Sequence, residues 1–323
     1  MLTFKRIARL KTTPYRLGFL LATLLSACVP TTTLPDTAAL PNARAADTAP
    51  FGSYQTYFEV AGREGGQPVL MVHGIGGGSS LFQYRKNSAA FARAGFEVYA
   101  LDLLGFGRST RPPERVTQDD HLAQLTSFIE TVVAEPTVIV ANGLSAAYSV
   151  RLAAERPDLV EALVLIGPTG YERLARPKTE ARVRAFDSLS GFLGDALYGV
   201  LLADNWQRFF LLDAYAGEDS LTPEVLAEFD TQLRAENAKW IILSFVSGNL
   251  DQDVSDYWPN VTQPTLTIWG AQAQTTPVED AEAFLAVRPE TELAVIDGAK
   301  LVPNEDQPDA FNEVVLEFLK PLF

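Results

Sequence analysis

The chain has 323 residues, 47% of them hydrophobic and 20% charged, which suits one α/β domain with a full core plus extra segments. Its net charge of −14 argues against a phosphate-backbone partner such as a nucleic acid. Two histidines and one cysteine leave few zinc ligands and allow no internal disulfide, so neither a metal nor a cofactor is expected.

The N-terminus has the layout of a targeting segment. Lys5, Arg6, Arg9, Lys11 and Arg16 stand among the first 27 residues without an acid. The remainder is therefore more acidic still; anionic lipid headgroups repel such a body, which is not expected to lie flat on the membrane. An apolar run from Leu17 to Leu25 follows, too short to span a bilayer, and Ser26 and Ala27 lead to Cys28. This is the pattern of a cleaved signal peptide, residues 1–27. Leu25-Ser26-Ala27-Cys28 resembles a bacterial lipobox. The resemblance implies an exported protein of the cell envelope, lipid-anchored to a bacterial membrane through an acylated Cys28. Because Cys28 is the sole cysteine, the body holds no catalytic thiol. Pro30, Pro35, Pro41 and Pro50 lie among Thr, Ala and Asp without an apolar period, so residues 28–52 are expected to be a disordered tether.

The body alternates strand and helix patterns. Tyr57–Val60 predicts a strand, and Val69–Val72 a buried strand ending at His73-Gly74. A helix is expected over Phe82–Ala94, a strand over Glu97–Leu101 and a sharp turn over Asp102–Ser109. Asp119–Val133 is amphipathic, with Leu122, Leu125, Phe128, Ile129, Val132 and Val133 at helical spacing. Thr137–Ala141, Val160–Ile166, Thr265–Trp269 and Glu292–Ile296 predict strands. Leu144–Glu155, Val278–Val287 and Pro308–Leu319 predict helices. Such alternation implies a mostly parallel sheet covered by helices on both faces. The organisation expected is a core of residues 53–170 and 259–323, interrupted after the sixth strand by a helical lid, residues 171–258. That lid is rich in aromatic residues, whose rings fill its own core or line a pocket beneath it.

From Val69 to Leu319 the chain resembles the α/β-hydrolase superfamily. His73-Gly74-Ile75-Gly76 resembles the family's loop after the third strand, and Asp102-Leu103-Leu104-Gly105-Phe106-Gly107-Arg108-Ser109 its D-x-x-G-x-G-x-S turn. Arg151–Pro157 with Leu163–Ile166 follows its spacing after the nucleophile elbow. Pro264–Gly270 resembles the strand bearing the acid. Gly298-Ala299 with Gln307-Pro308 and Phe311-Asn312 resembles the histidine loop. The resemblance implies the α/β-hydrolase fold; function must be argued from the site.

At that site the chain departs from the family. The elbow G-x-S-x-G falls on Ala141-Asn142-Gly143-Leu144-Ser145, which places Gly143 in the nucleophile slot. Glycine accepts the strained geometry of that slot without penalty but brings no hydroxyl. The acid position falls on Ala273 and the histidine position on Leu301, and no histidine follows His121. Glu279 and Asp280 read as charges at a helix start. His73 reads as structural, and His121 as a solvated side chain near a helix start. Ser145 and Ser149 read as packing and backbone-bonding residues, and Asp297, Glu305 and Asp306 as solvated loop carboxylates. The family's oxyanion hole uses backbone N–H groups, which here come from Ile75 and Leu144.

The expected function is therefore that of a catalytically silent, membrane-tethered lipoprotein of this fold, a pseudoenzyme that binds a small apolar ligand or a protein partner. The alternatives are an esterase-like hydrolase with non-standard catalytic residues and a purely structural envelope protein.

Overall fold

A computed structural model describes residues 32–34, 37–175, 179–202 and 204–323. The expected signal peptide and Cys28 lie outside the described residues. Eight strands form one sheet in the order β1-β2-β4-β3-β5-β6-β7-β8. They are β1 (Ala43–Phe51), β2 (Tyr54–Gly62), β3 (Pro68–Val72), β4 (Glu97–Leu101), β5 (Thr137–Asn142), β6 (Val160–Ile166), β7 (Thr265–Gly270) and β8 (Glu292–Ile296). The pairs β1–β2 and β2–β4 are antiparallel, and β4 to β8 pair in parallel. The parallel strands alternate with α1 (Ser88–Arg93), α2 (Gln118–Phe128), α3 (Leu144–Glu155) and α9 (Ala281–Val287), and after the last strand come the short α10 (Pro303–Asp306) and α11 (Pro308–Leu319). The fold is that of the α/β hydrolases.

Alternation along the strands divides the interior in two. On β3, Leu70 and Val72 enter one core with Phe128, Tyr148 and Trp258. Val69 and Met71 enter the other with Tyr84, Phe91 and Phe311. A strand buried on both faces reads as a continuous apolar run, which is why β3, β5 and β6 are legible in the sequence.

Three expectations are corrected. The tether does not extend to residue 52, because Ala43–Phe51 pairs along β2 from Ala43↔Ala61 to Phe51↔Tyr54. Only Ala49 is buried in that strand, so it lacks an apolar period, and its edge position tolerates Pro50. The helix over 82–94 is two pieces, a 3₁₀ turn (Leu81–Tyr84) and α1. Between them Arg85 and Asn87 are engaged by Glu305, Asn304 and Asn312 across the fold. The helix over 119–133 is α2 followed by a π-turn (Ile129–Val133), closed by Ala134 at φ 59°.

Between β6 and β7 the chain adds α4 (Glu180–Leu189), α5 (Phe192–Leu201), α6 (Asp204–Ala214), α7 (Pro223–Leu233) and α8 (Ala238–Val246). Trp258 fastens the end of this insertion by donating its indole N–H to the Phe284 carbonyl at 2.9 Å.

Candidate functional site

The strand-to-helix turn after β5 carries the first expected site residue. Gly143 has φ 59° and ψ −117° and caps α3. This backbone state strains any residue with a Cβ. A Cβ built on Gly143 nevertheless meets no atom within 4 Å. The turn thus keeps the geometry of an elbow, with open space above a residue that has no side chain. Its N–H donates to the Ile166 carbonyl at 2.9 Å, fixing the turn to β6. Leu144 opens α3, so its N–H is among the donors a helix leaves without an intrahelical partner.

A cavity of about 320 Å³ lies between the sheet and the insertion. Its floor includes Gly74–Ser80, Asn142, Leu301 and Val302, and its roof includes Phe210, Leu211, Tyr215, Phe229, Ile242 and Phe245. Ile75 and Leu301 therefore meet at one cavity. Gly143, Leu144 and Ala273 are not among its lining residues; Ala273 is buried, with its N–H on the Gly270 carbonyl at 3.1 Å. Asn142 is the polar wall residue nearest the elbow in sequence. Its amide donates to the Leu301 carbonyl at 2.8 Å. A Cβ on Gly74 would stand 2.6 Å from Asn142 Oδ1, so the close approach of the two loops requires glycine there.

The loop bearing Leu301 is bound to the insertion as well as to β5. Leu301 N–H donates to the Ala214 carbonyl at 2.9 Å, and Lys300 Nζ donates to the Leu212 carbonyl at 2.5 Å. Asp306 accepts from Ala216 N–H at 3.1 Å and from Lys300 N–H at 3.0 Å. The end of α6 thus closes one side of the cavity.

Neither histidine approaches this cavity as a base. His73 is fully buried; its Nδ1–H donates to the Gly74 carbonyl at 2.8 Å, and its Nε2 accepts from Leu103 N–H at 3.0 Å. Both bonds fit the neutral ring, and burial lowers its pKa to about 4. His121 corrects the sequence reading. It is not solvated but fully buried, its Nε2–H donating to the Leu104 carbonyl at 2.9 Å, and burial likewise lowers its pKa to about 4. Phe106 and Tyr148 rings flank it.

The serines beside the elbow are occupied. Ser145 Oγ donates to the His73 carbonyl at 2.6 Å, and Ser149 Oγ to the Ser145 carbonyl at 2.9 Å, both fully buried. Asp297 and Glu279 are exposed.

Glu305 also departs from the sequence reading. It is buried, not solvated, and lines the cavity. One carboxylate oxygen accepts from Arg85 at 2.5 Å and the other from the Tyr215 hydroxyl at 2.7 Å. Burial raises its pKa above the usual carboxylate value, while Arg85 and the Tyr215 hydroxyl pull it back. Its partner Arg85 lies 220 residues away in sequence, so no local pattern announces it. Asp102 is buried behind the adjoining loop and accepts from Leu81 N–H at 2.8 Å and Arg108 N–H at 2.7 Å. Desolvation raises its pKa to about 6. Its role is to hold the Gly105–Ser109 turn.

Comparison with known proteins agrees with the architecture. The sequence profile of the alpha/beta hydrolase family covers residues 69–314. A 2-hydroxy-6-oxononadienedioate/2-hydroxy-6-oxononatrienedioate hydrolase from Pseudomonas sp. is 26% identical over 259 residues, 79% of this chain and 88% of its own. A 2-hydroxy-6-oxo-6-(2'-aminophenyl)hexa-2,4-dienoic acid hydrolase from Metapseudomonas resinovorans is 27% identical over 274 residues, 83% of this chain and 88% of its own. The crystal structure of a serine hydrolase involved in carbazole degradation superposes with a TM-score of 0.70 at 23% identity, over 86% of this chain and 99% of that one. At that identity the superposition speaks for the fold alone. The family profile spans well over half of the chain, which is a member of the alpha/beta hydrolase family.

Proposed function

We propose that this protein is a membrane-tethered binding protein built on the hydrolase fold, which holds a small apolar ligand in the cavity beneath the helical insertion and does not cleave it. The observation that carries this reading is Gly143. The turn keeps the elbow's backbone state and its open space, but a residue without a side chain offers no nucleophile. Proton transfer fails in parallel. Leu301 stands on the cavity wall where the family resemblance expects histidine, and both histidines of the chain are buried and neutral. Ser145 and Ser149 already donate to backbone carbonyls; Ser80, on the cavity wall, donates to the Glu228 carboxylate at 2.8 Å but has no imidazole beside it, and a serine without such a base is a poor nucleophile. The cavity itself is walled mainly by apolar side chains, the ordinary character of a small-molecule site. The Ile75 backbone on its floor supplies a polar anchor for a carbonyl or carboxylate held but not attacked. The tether is the acylated Cys28 of the lipobox reading.

The test is displacement of a fluorescent fatty acid from the purified protein. Wild type is expected to bind it, and Leu301→Trp, which fills the cavity from its floor, to lose at least about tenfold in affinity. Equal affinity in the two proteins contradicts the reading.

A second reading, hydrolysis by non-standard residues, is favoured by the names of the relatives, which are hydrolases. Glu305 is its natural candidate, as a buried carboxylate on the cavity wall. Both of its oxygens, however, are engaged by Arg85 and Tyr215.

A further inference from the structure

The insertion carries an aromatic surface that its core does not absorb. On α6, Trp206 is 47% exposed, Phe209 62% and Phe210 47%. Their spacing of three and four residues puts them on one helix face. The rings touch, with centroids 6.0 Å apart for Trp206 and Phe209 and 5.6 Å for Phe209 and Phe210. Val246, at the end of α8, is 53% exposed and lines the cavity together with Phe210. The exposed face is therefore continuous with the cavity wall. A contiguous apolar patch of this kind is a contact surface in search of a partner.

The path of the N-terminal chain says which partner. Thr32 N–H donates to the Arg234 carbonyl at 3.0 Å. The Arg234 guanidinium donates to the Leu202 carbonyl at 3.2 Å, and Gln207, next to Trp206, donates to the same carbonyl at 3.1 Å. The chain thus passes beside the start of α6. Cys28 stands four residues before Thr32 in the sequence.

We infer that the Trp206-Phe209-Phe210 face rests on the surface of a zwitterionic lipid bilayer. This rests on the proposed acylation of Cys28 for the nearness of a membrane, whereas the aromatic face is a separate observation. Tryptophan and phenylalanine are side chains that enter the boundary between headgroups and acyl chains. Charge selects the lipid. A body of net charge −14 is repelled by anionic headgroups, and Arg208, which lies between the aromatics in sequence, is already paired with Glu218. Seated this way, the protein presents the Phe210–Val246 side of its cavity to the bilayer, so an apolar ligand enters without crossing water.

The test uses the purified full chain on vesicles of phosphatidylcholine brominated along its acyl chains. The difference in tryptophan quenching between wild type and Trp206→Phe isolates residue 206, because the half-buried Trp240 and the buried Trp258 and Trp269 are common to both. The expected result is a quenched Trp206 component that falls roughly fivefold in Phe209→Ser/Phe210→Ser protein. It should weaken further when anionic phosphatidylglycerol is mixed in. A Trp206 component untouched by bromine overturns the inference. If sedimentation then shows a dimer that the double serine variant loses, the face belongs to a second copy of the chain instead. Co-sedimentation of Cys28→Ala protein is read separately. If it equals wild type while Trp206 is still quenched, the acyl tether fails and the lipid-facing surface stands.

Discussion

The side-chain amide of Asn142 donates to the backbone carbonyl of Leu301 across 2.8 Å, joining the end of β5 to the loop after β8. The bond holds the elbow turn and the loop of the expected histidine position in fixed relation although neither Gly143 nor Leu301 carries a reactive group. Asn142→Ala is expected to cost about 1 kcal/mol and to weaken fatty-acid binding by loosening the cavity floor. Urea unfolding and fluorescent ligand displacement check the two effects; an unchanged unfolding midpoint would show that the bond carries no stability.

Gly143 itself should be intolerant of side chains for backbone reasons alone. With φ 59° and ψ −117° and no atom within 4 Å of a built Cβ, Gly143→Ala meets strain but no clash. The expected cost is about 1 kcal/mol or more, read from the urea midpoint. A variant as stable as wild type would mean that the turn relaxes out of the elbow state.

These two residues also show how legibility in the sequence was distributed. The turn motifs of the family and the fully buried strands are local features; they placed the sheet, and the strand-to-helix turn falls on Gly143. β1 was missed because an edge strand with one buried residue, Ala49, has no period to detect. His121 and Glu305 read as solvated from the sequence because their charged neighbours along the chain say nothing of their partners in space. Leu104 and Arg85, which bury and bond them, come from other parts of the chain. The exposed rings of α6 had the same ambiguity, since an aromatic residue in a helix looks alike whether it faces the core or the outside.

Removing the charge of Glu305 should be expensive. Its carboxylate and the Arg85 guanidinium are only 2% and 6% exposed. Glu305→Gln keeps the shape of the side chain but leaves Arg85 as a buried cation, at a cost of about 3 kcal/mol. Thermal unfolding of the variant at neutral pH measures it, and a loss well under 1 kcal/mol would show that water reaches Arg85.

Acid should destabilise the fold through its histidines. His73 and His121 have folded pKa values lowered to about 4 from 6.5. Below pH 6.5 the unfolded chain takes up protons that the folded chain refuses until about pH 4, so stability falls as pH drops through that window. Each histidine contributes up to roughly 3 kcal/mol of that loss. Asp102 acts in the opposite sense. Its pKa is raised to about 6 from 3.8, so the folded chain binds its proton first and gains stability as pH falls between those values. Glu305, whose pKa burial also raises, acts in the same sense as Asp102. His121→Gln, which keeps a donor toward the Leu104 carbonyl, should lose less stability between pH 6.5 and pH 4 than wild type does. Parallel urea titrations at the two pH values decide; an identical slope for both proteins would remove His121 from the acid response.

Restoring chemistry should require three changes together. Gly143→Ser adds a hydroxyl in open space, but Leu301 cannot take its proton. Leu301→His adds a base, and Ala273→Asp adds the carboxylate that orients it. Effects within such a unit are not additive, so the triple variant should exceed the product of the singles in ester hydrolysis. Burst kinetics with a nitrophenyl ester follow the series. A burst from Gly143→Ser alone equal to that of the triple variant would reveal a base already beside the elbow.

Catalytic silence is read directly by reaction of the wild-type protein with a fluorophosphonate probe, followed by intact mass and peptide mapping. The expected result is no covalent adduct, because Gly143 supplies no nucleophile and Ser80, Ser145 and Ser149 have no imidazole base beside them. Stoichiometric labelling of any serine would contradict it, establish the protein as an active hydrolase and identify the nucleophile.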